Sequence, residues 1–224
     1  TRLRASRDVS DTEENLIRER IDRLRNLENY PFTALELASS VNESQVADIF
    51  VRINSQGVRL NQADFILTLM SVFWDEGRKE LEQYCREAKK PPSGVPSPSS
   101  YFIKPEPDQL LRVSVAVAFR RARLQHVYSL LRGKDLETGE FREEHREKQF
   151  ELLKTAQAYV LDVQNWADFA QVLLKAGYRQ EWMLTSRLGM LFTYALFLIG
   201  KRDYQVAPQK LREVTARWLF MTAL

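Results

Sequence analysis

One cysteine, two histidines, eight glycines and eight prolines in 224 residues exclude several functions together. The lone thiol, Cys85, allows no internal disulfide and fits a reducing compartment. With only His126 and His145, far apart in the chain, no zinc set of Cys and His can be assembled. A nuclease of the His-Asn-His type lacks its histidines for the same reason. There is no Gly-x-x-x-x-Gly-Lys-Ser/Thr phosphate loop, no Gly-x-Gly-x-x-Gly dinucleotide fingerprint and no Gly-x-Ser-x-Gly nucleophile elbow. Long apolar runs are missing too. The most apolar one, residues 188–199, lies between Arg187 and Lys201 and falls short of the roughly 20 residues a bilayer demands. The expectation is a cytoplasmic protein with no membrane contact, no metal site and no catalytic set in this sequence.

What is present is core material. Hydrophobic residues make up 44% of the chain, with 12 Phe, 8 Tyr and 4 Trp, enough for a real interior. Few helix breakers and no sustained alternation predict a mainly α fold, a multi-helix orthogonal array of about ten helices. Apolar periodicity places helices near 11–27, 43–54, 62–73, 76–89, 108–121, 123–132, 143–162, 166–176, 181–200 and 208–224. Ser10 or Asp11 is a cap for the first, and Asn61 with Asp64 starts the third. At most one short strand, near 32–37, is expected. Residues 91–100, rich in Pro and Ser, form the one clear linker. They separate an N-terminal helical part, 1–90, from a C-terminal one, 101–224, within one packed unit. The chain begins at Thr1 and stops inside the apolar-periodic run 211–224, which reads as a fragment of a longer protein.

The most specific stretch is Ile49-Phe50-Val51-Arg52-Ile53-Asn54-Ser55-Gln56-Gly57, followed by Leu60 and the helix from Asn61. Phe50 and Asn54 are four apart and share a helix face. Phe50 suits a core, and Asn54 at the last turn suits hydrogen bonds to a loop or a ligand. Gly57 permits a left-handed turn. Taken alone, this is a helix-turn-helix corner.

The same segment resembles the Phe-x-x-x-Asn element of a large bacterial family, the ParB/sulfiredoxin-like N-terminal domain of GmrSD-type modification-dependent restriction systems. The likeness is strongest over about 40–80 and extends from about residue 15 to the end, residues 130–139 included. In that family an α/β nucleotide-handling core precedes a helical region. Its Asp-Gly-Gln-Gln-Arg motif is tied to nucleotide hydrolysis that drives or gates DNA restriction. That motif does not occur in this sequence, and neither does the nuclease domain that follows in many relatives. The resemblance therefore implies a helical part without catalysis of its own. A missing N-terminal α/β domain would be its partner, and a nucleoside triphosphate with a divalent metal would belong to the full-length protein. Phe50 and Asn54 would support the nucleotide site, with Arg52 and Arg59 nearest the phosphates.

A net charge of +3 and an isoelectric point near 9.0 do not by themselves imply nucleic acid. The local pattern is more informative. No acidic residue occurs from Gln109 to Lys134, while Arg112, Arg120, Arg121, Arg123, His126, Arg132 and Lys134 do, with Phe119 and Tyr128 among them. Clustered like charges raise a potential that attracts phosphates, which Arg contacts bidentately. DNA is the expected partner of these six cationic side chains other than His126. Against this, the same arginines could pair with the acidic run 135–147, whose Glu143, Glu144 and Glu147 read as a solvated helix face. The competing function is a protein-interaction or oligomerisation module, a homodimer built on helices 181–200 and 208–224.

Overall fold

The structure is a computed structural model describing residues 10–31, 34, 36–38, 40–41, 45–46, 49, 61–99, 103–135 and 138–222. Its helices are α1 (Asp11–Arg25), α2 (Gln62–Phe73), α3 (Asp75–Lys89), α4 (Pro107–Phe119), α5 (Leu124–Leu131), α6 (Glu143–Leu161), α7 (Val163–Lys175), α8 (Arg187–Arg202) and α9 (Pro208–Thr222). The fold is mainly α, as expected. Among the described residues there is no strand, only an isolated antiparallel bridge between Lys134 and Phe141. Ala34, Glu36 and Leu37 are irregular, while Phe32, Thr33 and Leu35 lie outside the described residues. None of the helices is long and apolar enough to cross a membrane, among the described residues.

The chain divides into two units, residues 1–41 and 42–224, and not at 91–100. In the first, Ser10 and Glu13 form a reciprocal capping box that starts α1. Pairs Arg18–Glu14 and Arg23–Glu19, one turn apart, lace its surface. No residue of α1 is buried.

The second unit is organised around α4, whose sequence has apolar residues on nearly every side and so must be enclosed. Leu110, Leu111, Val113, Val115 and Val117 are all fully buried, and α4 packs against α2, α3, α5, α6 and α8. Pro107 occupies its first turn, where the missing N–H costs nothing. The Pro/Ser segment is exposed over residues 91–96 and is held near its C-terminal end. Ser97 Oγ donates to Ala88 O at 3.2 Å, Ser99 Oγ donates to Ile103 O at 3.0 Å, and Lys89 pairs with Glu106.

Helix ends follow local chemistry. Asn61 and Asp64 form the capping box of α2. Asp162 alone separates α6 from α7, accepting from the N–H groups of Gln164 and Asn165. The predicted helix 181–200 is divided: residues 181–183 make a short 3-10 turn, and Ser186 caps a new helix by accepting from Gly189 N–H. The carbonyls left over at the end of α6 are met by buried donors. Trp166 Nε1 and Tyr194 Oη both donate to Val160 O, at 2.9 and 3.0 Å, and Asn165 Nδ2 donates to Tyr159 O at 2.8 Å. The Trp166 and Tyr194 rings lie 4.0 Å apart, with Phe169 5.0 Å from Tyr194. Gly200 allows α9 to approach α8, since a Cβ there would meet Leu211 Cδ1 at 2.7 Å.

Candidate nucleic-acid interface

The C-terminal ends of α4 and α8 meet, and both ends carry arginine. At the end of α4, Arg120 adopts a left-handed conformation, φ 55° and ψ 33°, with its N–H bonded to Ala116 O. For a residue with a Cβ that conformation costs about 1–2 kcal/mol. Its guanidinium folds back over the helix end, donating to Val117 O, and pairs with Asp203. Orphan carbonyls and the negative end of the helix dipole favour a cation there.

From the other side, Arg202 closes the last turn of α8. Its Nε donates to Asp203 Oδ1 at 2.8 Å, its Nη2 donates to Val117 O at 3.3 Å, and its guanidinium lies 5.4 Å over the Tyr159 ring. Lys201 donates to Asp168 Oδ2 at 2.6 Å and to Asn165 Oδ1 at 2.8 Å. Burial works to raise the Asp168 carboxyl, but hydrogen bonds from Lys201 and Gln164 outweigh it and hold the group below the usual carboxylate range. Burial, and then the positive charge of Arg202, lower the Arg120 guanidinium from its ordinary value. Gln205, just beyond, has φ 46°. With Arg120 it is one of two non-glycine residues at positive φ among the described residues, and both flank this corner.

The predicted cations therefore do not form one cluster. Arg112 pairs with Asp108 at 3.9 Å, one turn back along α4. Arg120 braces the corner. Arg121 and Arg123, in the connection to α5, are exposed and make no ion pair or hydrogen bond among the described residues. His126, on α5, is exposed as well. Arg132 and Lys134 sit at the other end of α5, about 12 Å along its axis from Arg123 by helix rise. There Arg132 lies 5.3 Å and Lys134 5.9 Å from the ring centroid of the exposed Phe141. The acidic run makes pairs within itself, His145 with Asp135 at 3.9 Å, Arg142 with Glu140 at 2.6 Å and Arg146 with Glu143 at 3.1 Å. Arg112 and Arg120 find their carboxylates elsewhere.

Arg202, Asp203 and Tyr204 were not singled out from the sequence. The only local signal was a basic helix end following an apolar run. Of the signature segment, Ile49 is helical, like Gln45 and Val46, whereas Phe50, Arg52, Asn54, Gly57 and Arg59 lie outside the described residues. Between α3 and α6 runs an open groove of about 840 Å³, floored by Tyr84, Ala158 and Leu161. Its rim mixes Glu76, Glu80 and Glu87 with Lys79 and Arg86, so it offers phosphate no net attraction. No group of three His, Cys, Asp or Glu able to hold a metal ion occurs among the described residues. No family model, curated protein or solved structure matches this chain.

Proposed function

We propose that this chain is the helical part of a nucleotide-dependent DNA restriction or phage-defence protein, a scaffold whose α4–α5 corner contacts the nucleic-acid backbone without catalysis of its own. The observation that carries the contact is the pair Arg121 and Arg123, exposed and without a carboxylate partner among the described residues, on a corner held rigid by Arg120, Arg202 and Asp203. The restriction context rests on the resemblance of residues 48–65 to the GmrSD-type family. In that context Phe50, Arg52, Asn54 and Arg59 support a nucleotide site completed by an α/β domain, and a nucleoside triphosphate with its divalent metal binds there.

The test of the contact is fluorescence anisotropy with duplex DNA at low and moderate salt, comparing the natural chain with an Arg121→Glu, Arg123→Glu variant. Affinity should fall with salt, and the variant should lower the slope of log K against log salt by about 2, close to one per phosphate contact. Absence of binding at low salt, or an unchanged slope, overturns the proposal.

A second reading, an oligomerisation module, is favoured by exposed apolar rows: Leu188 and Leu196 on α8, and Val214, Trp218 and Met221 on α9. Its occupant would be a second copy of the chain. Sedimentation equilibrium decides it: a dimer that Trp218→Glu dissociates supports this reading, and a monomer at all concentrations removes it.

A further inference from the structure

We propose that the corner binds unpaired nucleic acid, one base stacking on Tyr204 while Arg121 and Arg123 take the adjoining phosphates. This inference rests on the corner being a nucleic-acid interface and adds the substrate class.

Tyr204 is 75% exposed, and its ring and phenol make no hydrogen bond or ring contact among the described residues. The backbone beneath it is, by contrast, firmly held. Asp203 N–H donates to Ile199 O at 2.9 Å, Tyr204 N–H to the same carbonyl at 3.4 Å and Val206 N–H to Gly200 O at 3.1 Å. Immediately before the ring, Asp203 binds Arg120 and Arg202 together. Immediately after it, Gln205 is fixed in a left-handed conformation. A free aromatic face on a pre-ordered backbone is what base stacking needs, because little freedom is lost when the base arrives.

The same bonds sort the cations. Arg120 and Arg202 already serve Asp203 and Val117 O, so they are braces that set where the ring stands. Arg121 directly follows Arg120, and Arg123 follows two residues later. The two unpaired guanidinium groups follow Arg120 in the chain and the exposed ring follows Asp203, so both are joined to the residues of one brace. Two free arginines match a short footprint with a shallow salt dependence, log K against log salt having a slope of about −1.4 for a single strand. The ring supplies selectivity. In a duplex every base face is already stacked, and exposing one requires unpairing it. A single strand offers its bases freely, and stacking on tyrosine tolerates any base.

The experiment measures anisotropy of three probes at low salt: a labelled oligothymidylate, an abasic oligomer with the same phosphates, and a closed duplex hairpin. The natural chain should bind the oligothymidylate more tightly than either other probe. Tyr204→Ala should weaken it by about 5- to 150-fold, leaving the abasic oligomer and the salt slope unchanged. Tyr204→Trp should restore tight binding. Arg121→Glu with Arg123→Glu should weaken all three probes. If Tyr204→Ala leaves every probe unchanged while the arginine variant still loses binding, stacking is overturned and the backbone contact stands. If no probe binds at low salt, both fall.

Discussion

Replacing Asp203 with Asn should lower stability and raise affinity for nucleic acid, two effects of opposite sign from one atom. Asp203 gives one carboxylate to two guanidinium groups, and the three side chains are 30%, 43% and 33% exposed for Asp203, Arg120 and Arg202. Fully exposed ion pairs contribute about 0.2–1 kcal/mol each, so these partly covered ones sit near the upper end, about 2 kcal/mol for both. Asparagine keeps one acceptor oxygen but not the charge, so most of this is lost while the shape is kept. For a folded unit the size of residues 42–224, about 2–4 °C of melting temperature accompanies each kcal/mol, giving a drop of roughly 3–8 °C. Removing one negative charge near a bound phosphate should favour binding by at most about 1 kcal/mol, the value for unit charges at contact in water, a gain of a few-fold at low salt. Salt screens that gain within a Debye length. Thermal unfolding by circular dichroism and anisotropy with a labelled oligonucleotide read the two effects separately. An unchanged melting temperature would show that Asp203 does not brace the corner. Weaker binding by a protein of unchanged stability would show that Asp203 itself contacts the ligand, and would refute the brace.

Other perturbations test the rest of the fold. Gly133 has φ +87°, and a Cβ there would lie 2.3 Å from Arg142 O, so Gly133→Ala should cost about 1–3 kcal/mol, read as a lower denaturation midpoint at unchanged m-value. A midpoint equal to the natural chain's would deny that turn geometry. Burial pushes the Cys85 thiol up to about 12, so it should react with a thiol reagent at pH 8 only as fast as the chain unfolds. Rapid labelling of the folded protein would contradict its enclosure. The Asp168 carboxyl is lowered in the folded state, so its stabilisation is present above the ordinary carboxylate range and is lost as pH falls through its folded value. The stability gap between the natural chain and Asp168→Asn should therefore shrink on acidification below pH 4, and a gap constant with pH would refute the Lys201 pairing.

Local chemistry was legible before any tertiary structure. The cap at Asn61 with Asp64 closes within three residues, so sequence spacing specified it, whereas at the first helix the sequence offered Ser10 or Asp11 and the structure selects Ser10 with Glu13. The apolarity of α4 on nearly every side likewise favoured burial, with Asp108 and Arg112 left partly exposed. What periodicity could not convey was the break before α8. Residues 181–200 keep a continuous apolar pattern, and only the Ser186 cap, a single side-chain hydrogen bond, restarts the helix. Composition marked 91–100 as a connection but could not show that Ser97 and Ser99 are bonded to the carbonyls of Ala88 and Ile103.

The basic segment shows the division most clearly. Its charge was fixed by residue identity, and so was the exclusion of disulfide, zinc and phosphate-loop chemistry. Which charges remain free was not. Arg202 reaches Val117 O across 85 residues of chain, and that long-range contact, with Asp203, occupies Arg120 and leaves Arg121 and Arg123 to solvent. A charge is a property of a side chain. Whether it is available is a property of what lies beside it, and only the packing of α4 against α8 decided that.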